Sequence, residues 1–424
     1  MLDIELFRKH PDVIKKSQKK RNLSTEVVDE VTRLDEKWRE YLQKAEKLKH
    51  ERNTVSEKIN QLKKSGKPIQ SEVKKIQGLV DELKKVDETA NNTKLVRDKL
   101  LLEIPNLIAD DVPTGKDEND NKELRKVGKP TKFDFEPKHH QEILEALDCL
   151  DIEQAAKVSG ARFYYLKGPL VKLNHALQAF AMDLLIKEGF TAIQPPYMIN
   201  LAAMSGAVHF SAFQDAIYKI QDEDLYMIGT AENSIVAYGK DRVFNGKKLP
   251  LRFVGISPCF RKEAGTHGKD MKGIFRVHQF EKVEQVSFCK AEQAKKEFDS
   301  LLKNLEEIFK ALEIPYRLTI LCSADTGKKD SKTIDLEGWF PAQNKYRELG
   351  SCSTLRDYQG RRSNIRYTDG AETKFADTLN NTAIATERAM ACIVENFQQK
   401  DGSVKIPKVL WPYTGFKEIK SIKK

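Results

Sequence analysis

SPCFRKEAGTHGKDMKGIFRVHQFEKVE, residues Ser257 to Glu284, is the stretch on which the reading of this chain turns. Two β-like runs, around Leu251 to Phe260 and Phe275 to Val283, flank a Gly-rich charged loop carrying Gly265, Gly268 and Gly273. That arrangement predicts a strand, loop, strand hairpin. Alternation along the strands sends Arg261, Glu263 and Glu284 out as charges from otherwise apolar or aromatic surroundings. Charges held on strands suit a preorganised polar pocket, although a solvated hairpin edge is the plainer reading of the same residues.

Around this hairpin the chain has 424 residues, room for one large core plus a second module. Apolar residues make up 40%, enough for a globular part, while 32% charged residues imply some solvated helix. The formal net charge of +10 favours a polyanionic partner or substrate. Six scattered cysteines form no CxxC pair and no Cys/His spacing suited to zinc, so they read as reduced packing thiols. No apolar run approaches the roughly 20 residues that span a bilayer. The opening MLDIELFRKHPD lacks the apolar core of a leader, and the expected compartment is the cytoplasm.

The N-terminal 105 residues carry a different pattern. Val31, Leu34, Trp38, Tyr41, Ala45, Leu48, Val55, Ile59 and Leu62 recur at alternating three- and four-residue spacing, interrupted only by Arg52. After the turn signal Ser65-Gly66-Lys67-Pro68, a second series runs through Ile69, Val73, Ile76, Leu79, Leu83, Val86, Ala90, Leu100 and Ile104, stopped by Pro105. Two such helices joined by so short a turn fold back into an antiparallel coiled-coil hairpin, about 26–104. At about 1.5 Å per residue, some 38 residues give an arm of roughly 55 Å. Its distal half, Lys44 to Lys75, holds ten bases against four acids, an electrostatic footprint for a nucleic-acid backbone. A coiled coil kept soluble by flanking charge has the same composition.

Residues 106–135, rich in Asp, Asn, Lys, Gly and Pro, read as a linker. The rest, 136–424, predicts a mixed α+β domain. A helix from Pro169 to Glu188 ends at Gly189 and is followed by a strand closed by Pro195-Pro196. LYMIGTAENSIVAY sets Thr230 and Glu232 at a strand-to-helix turn. KYRELGSCSTLRDYQGRRSNIRY reads as strands with a polar turn, and FADTLNNTAIATERAMACIVENF as a strand entering an amphipathic helix with Arg388. Neither GxxxxGK[ST] nor GxGxxG occurs, so P-loop and Rossmann nucleotide sites are excluded.

CFRKEAG followed by GIFRVHQFEKVE resembles motif 2 of the class II aminoacyl-tRNA synthetases, most of all the seryl-tRNA synthetases. The 169–199 segment is similar to motif 1, the dimer-forming element, and the segment holding Arg388 to motif 3. MLDIELFR, ARFYYLKG and IPKVLWPY extend the resemblance over nearly the whole chain. It implies a catalytic domain built on an antiparallel β-sheet flanked by helices, and an ATP-dependent ligase that forms seryl-adenylate and passes serine to the 3′ end of tRNA(Ser), with selenocysteine tRNA a further candidate. The alternatives are a paralogue serving a non-tRNA acceptor and an inactive RNA-binding paralogue.

By the same resemblance Arg261 and Arg388 are the catalytic arginines. Thr230, Ala231, Glu232, Glu284, Asn380 and Thr382 would bind L-serine, with Asn381 in the matching segment. ATP would meet Arg261, Lys262, Glu263, Arg276, Val277, Phe280, Glu348, Leu349, Gly350, Ser351 and Arg388, and Glu348 and Ser351 would hold Mg2+. The arm would grip the tRNA and the enzyme would be a homodimer with no membrane attachment. The zinc-dependent minority form is disfavoured, since no Cys/His cluster exists. Three positions depart from the family: Asp377 stands for a usual His, Gly350 for Ser and Thr354 for Asn; all three flank the residues assigned here, so activity is expected to persist, with room for an altered rate or metal affinity.

Overall fold

The computed structural model describes residues 1–209, 215–263 and 272–420. It divides into two compact units, Leu2–Pro105 and Asn106–Lys424 together with Met1.

In the first unit, helices α1 (Ile4–Lys9) and α2 (Pro11–Lys20) pack beside α3 (Glu26–Lys64), which turns back into α4 (Gln70–Glu103). The turn needs Gly66, whose φ of 66° is left-handed; the Lys67 N–H then closes onto the Leu62 carbonyl at 3.0 Å, satisfying the end of α3. Ala45, Leu48, Val55 and Ile59 of α3 interlock with Leu79, Leu83 and Val86 of α4, the seam that the heptad spacing predicts. Two positions differ. Val73 is 48% exposed, and near the base Leu101 replaces Leu100 in the seam, one turn after the buried Arg97. A cation takes a seam position because Asp35, buried on α3, accepts from Arg97 Nη1 at 2.6 Å. Asp35 also accepts from Arg8 and Arg39, so the base of the hairpin is tied by charge.

The second unit is organised by an eight-stranded sheet: β1 (Lys122–Val127), β2 (Thr191–Ile193), β3 (Leu251–Phe260), β4 (Gln279–Cys289), β5 (Tyr316–Ile320), β6 (Lys332–Phe340), β7 (Lys345–Arg356) and β8 (Asp377–Ala385). The order is β1-β5-β6-β7-β8-β4-β3-β2. Every neighbouring pair is antiparallel except β2 with β3, so the antiparallel expectation holds apart from one parallel edge. The hairpin forms, but its second strand starts at Gln279 rather than Phe275 and continues to Cys289. Phe275 to His278 lie in the turn, and Gly265 and Gly268 fall outside the described residues.

Alternation along β4 explains the layering. Val283 and Cys289 belong to the large core under helices α5 (Pro169–Lys187), α7 (Ala294–Ala311) and α8 (Thr386–Phe397), whereas Val286 and Phe288 point to a second apolar cluster built on α6 (Ala231–Tyr238). Lys282 and Glu284 share that second face and open into a cavity. On α7, Phe298, Leu301, Leu305 and Ile308 recur at helical spacing and seat the helix on the sheet. Burial of these side chains contributes roughly 1.5–3 kcal/mol each.

The 106–135 segment is not a free linker. Ile108 and Val112 enter the large core, Asn106 Nδ2 donates to the Leu355 carbonyl at 2.7 Å, and β1 forms the sheet edge. Its side chains are mostly exposed because an edge strand is attached chiefly through its backbone, here with Arg125 donating to Glu306 and Glu123 accepting from Arg317, and a polar composition cannot distinguish that from a tether. The polar turn expected between β7 and the next strand holds a short helix, Tyr358–Arg362.

Candidate active site

The hairpin mouth places two arginines. Arg261 follows β3 by one residue, its N–H donating to the His278 carbonyl at 2.9 Å, so the ladder runs one step past the strand. Its guanidinium lies 5.2 Å from the Phe280 ring centroid, and Nε donates to the Gly229 carbonyl at 3.3 Å. Arg276 Nη1 meets Glu263 Oε2 at 3.0 Å across the mouth. Val277 is buried beside them, while Lys262 turns away to the Tyr218 ring at 5.7 Å.

The turn that returns to β4 is pinned from below. Gly273 has φ of 71°, and a Cβ there would strike His140 Nε2 at 2.1 Å, so only glycine fits. Gly273 N donates to Gln141 Oε1 at 2.7 Å and Ile274 N to His140 Nε2 at 3.3 Å. His140 Nδ1, left as the protonated nitrogen, is 2.9 Å from Glu395 Oε1 on α8. His139 completes a His-His-Glu group. Burial, then His140, pushes the His139 ring down to about 4, and both ring nitrogens of His140 are already engaged. Hydrogen bonding therefore accounts for the group. Phe275, set by this turn, lies 3.6 Å from the Arg347 guanidinium and 4.8 Å from that of Arg388.

Arg388, in the first turn of α8, pairs with Glu348 Oε1 at 2.9 Å. That charge holds the Glu348 carboxyl below its ordinary value against the opposing effect of burial. Three residues apart on a regular strand, Glu348 and Ser351 would face opposite sides. A bulge prevents it: Leu336 pairs with Gly350 and Glu337 with Glu348, leaving Leu349 as the extra residue. Leu349 is buried in the large core and Gly350 faces Leu305, whose Cδ1 a Cβ would meet at 3.0 Å. Ser351 Oγ thus donates to Glu348 Oε1 at 3.4 Å, and Asp335 lies across the ladder from Ser351. Burial and the Glu348 charge hold the Asp335 carboxyl well above its usual range. Two carboxyl groups and a hydroxyl on one face are hard oxygen donors of the kind Mg2+ takes.

Beside this wall is a cavity of about 300 Å³. Glu284, 1% exposed, accepts from Thr230 Oγ1 at 3.0 Å and Thr382 Oγ1 at 3.5 Å, and its Oε2 contacts the Lys282 ammonium. Thr230 also caps α6, accepting from Glu232 N at 3.2 Å. The Glu232 carboxylate receives Gln359 Nε2 at 2.7 Å and the Lys329 ammonium. Asn380 lines the cavity. Asn381 faces the other side of β8, accepting from Gln285 Nε2 at 2.5 Å, and Ala231 is packed in the second cluster, so neither side chain reaches the cavity.

The structure thus gathers Arg261, Glu263, Arg276, Val277, Phe280, Glu348 and Arg388 on one wall and Thr230, Glu232, Glu284, Asn380 and Thr382 in the adjoining cavity. Sequence reasoning passed over Lys282, Lys329, Gln359 and His140. Lys282 was readable, since it shares a strand face with Glu284 at period two. The others had no local signal.

Comparison with known proteins gives a consistent result. Residues 1–108 match the family described as the seryl-tRNA synthetase N-terminal domain, and residues 217–397 the class II tRNA synthetase core domain (G, H, P, S and T). A serine–tRNA ligase of Pyrococcus horikoshii is 44% identical, the alignment covering 100% of this chain and 98% of that protein. The crystal structure of the seryl-tRNA synthetase from the same organism, complexed with ATP, superposes with a TM-score of 0.96 over 100% of both chains at 43% identity. The cytoplasmic serine–tRNA ligase of Naegleria fowleri, in complex with AMP, gives 0.92 at 34% identity over 100% of this chain and 99% of that one.

Proposed function

This chain belongs to the seryl-tRNA synthetase family, and on that premise we propose how its residues activate L-serine with ATP and load it onto the 3′ end of tRNA(Ser). The observation that carries the reading is Glu284: a buried carboxylate ringed by Thr230, Thr382 and Lys282, a few residues along one strand from Phe280, over which Arg261 lies.

Serine enters with its hydroxyl on Glu284 and Thr382 and its ammonium on Thr230 and Glu232. Arg261 takes the serine carboxylate and the α-phosphate, with Phe280 against the adenine face and the Val277 backbone at its edge. Glu263 meets the adenosine moiety, Arg276 the γ-phosphate region and Arg388 the ATP tail. A carboxylate oxygen of serine attacks the α-phosphorus, the bond to the β-phosphate oxygen breaks, and pyrophosphate leaves. The terminal ribose hydroxyl of the tRNA then attacks the acyl carbon and AMP departs. Neither step needs a protein nucleophile; alignment and neutralisation of phosphate charge supply the acceleration. Glu348 and Ser351 would hold Mg2+, which when bound neutralises charge on the phosphates. Alanine is rejected because it leaves buried partners of the missing hydroxyl unpaired, a penalty of about 1–3 kcal/mol per group.

The arm is the tRNA grip. Lys44, Lys58 and Lys75 pair with Glu82, Glu72 and Glu51 across the hairpin, whereas Lys63, Lys64, Lys67 and Lys74 make no ion pair among the described residues. These remaining lysines are the candidates for phosphate. A homodimer would form on the α5 and β2 face, where β2 is a sheet edge and Met182, Ile193, Tyr197 and Pro258 line a hollow. No described helix is long and apolar enough to cross a membrane. The six buried free thiols suit the reducing cytoplasm.

The test is paired: serine-dependent pyrophosphate exchange and tRNA charging, on the full chain and on one lacking residues 40–85. Exchange surviving while charging collapses is expected. Exchange without charging in the full chain would indicate a different acceptor, and equal loss of both activities in the truncation would make the arm a folding element.

A further inference from the structure

The two carboxylates assigned to serine are each neutralised by a lysine of the cavity wall, Lys282 on Glu284 and Lys329 on Glu232. The two lysines are held differently. Lys282 lies on β4, two residues from its partner, and also donates to Thr382 Oγ1 at 3.2 Å. Lys329 comes from the segment between β5 and β6, which is shaped by turn bonds such as Asp330 N to the Gly327 carbonyl at 2.9 Å. Its side chain is 12% exposed, and its ammonium touches the same Glu232 oxygen that Gln359 contacts. A second anion is near: Asp330 Oδ1 is 3.9 Å from that ammonium.

A lysine ammonium and the α-ammonium of an amino acid are the same group, a compact cation with three donors. One buried carboxylate cannot give both its best geometry. We infer that Lys329 is an internal competitor for the substrate's α-ammonium: it keeps Glu232 paired and yields that carboxylate to serine by swinging toward Asp330. Binding then exchanges one ammonium for another, so no bare charge is buried before substrate arrives. Affinity for the ammonium, which every amino acid carries, is thereby held down, and selection rests on the hydroxyl at Glu284. Burial lowers the Lys329 pKa, but Glu232 and Asp330 more than offset it, so the side chain remains a cation.

The inference rests on the reading of Glu232 as the amino-group ligand, and the experiment separates the two. Serine affinity is measured calorimetrically on the full-length protein as wild type, Lys329→Met and Glu232→Gln. In parallel, acetylation of Lys329 in the wild type by acetic anhydride is followed by mass spectrometry with and without saturating serine. Lys329→Met should bind serine about tenfold more tightly, and Lys329 in the wild type should label severalfold faster when serine is present. Unchanged or weaker serine binding by Lys329→Met, or labelling indifferent to serine, overturns the inference. The labelling arm needs no variant and decides the matter if Lys329→Met does not fold. Weakened binding in Glu232→Gln upholds the parent reading whichever way Lys329 behaves; unchanged binding there overturns both.

Discussion

Lys58–Glu72 on the arm and Lys282–Glu284 in the cavity join the same two functional groups, yet their side chains are 59% and 17% exposed in the first pair and 8% and 2% in the second. In water the arm pair is worth about 0–1 kcal/mol and is screened by salt. In the cavity, removal of one partner leaves an uncompensated charge, at a cost of about 3–5 kcal/mol. Such pairs suit the proposed role of the arm, in which they exchange partners with a flexible polyanion and read charge density. The cavity is committed atom by atom, which suits the proposed reading of one small molecule.

The sharpest form of that contrast is Glu284→Ala. Serine-dependent exchange should fall by about 10⁴-fold or more, since the proposed hydroxyl acceptor goes and Lys282 is left buried without its carboxylate. Residual exchange that still prefers serine over alanine would show that another group reads the hydroxyl.

Asp35 is where the contrast is most easily broken, because it is a cavity-like charge inside the arm unit. Burial alone would raise its carboxyl; Arg8 and Arg97 overrule that and hold it below its ordinary value. Asp35→Ala should destabilise the folded state of residues 2–105 by about 3–5 kcal/mol, against at most about 1 kcal/mol for Lys58→Ala. Equal effects in denaturant titrations would erase the distinction.

Asp377, at one of the family departures, is a buried acid raised to about 7, chiefly by burial and then by Asp357. The folded state therefore binds a proton more readily than the unfolded chain between about pH 4 and that value, so the cost of this residue grows as pH rises through the window and is complete above it. Asp377→Asn should raise stability by on the order of 2 kcal/mol near about pH 8 and change little near about pH 4, as followed by thermal unfolding. A gain independent of pH would assign the effect to packing.

Among the smallest expected effects is the joint replacement of Lys63, Lys64 and Lys67 by Ala. Exchange should be untouched, the tRNA KM should rise about tenfold at low salt, and the slope of log affinity against log salt should shrink by about two to three. An unchanged slope would remove the arm tip from the phosphate contacts.

What the sequence by itself determined is whatever repeats locally. The seam of α3 and α4, the turn at Gly66, the bounds of β3, and the sharing of one strand face by Lys282 and Glu284 all follow from spacings of two, three or four residues, because neighbours at those distances are fixed by backbone geometry alone. The motif strings added the identity of Arg261, Glu284, Glu348 and Arg388, though not their arrangement. That Glu348 and Ser351 face the same way required the bulge at Leu349, which exists because β7 must match β6 on one side and bury Leu349 on the other. That residues 122–127 form a sheet edge required β5, nearly two hundred positions later. That Lys329 reaches Glu232, and His140 the turn before Phe275, required segments more than ninety residues apart to close on each other. Such contacts have no period to read: loop side chains are placed by whatever the assembled sheet and helices leave open, and only the packed tertiary structure decides which charges share a cavity.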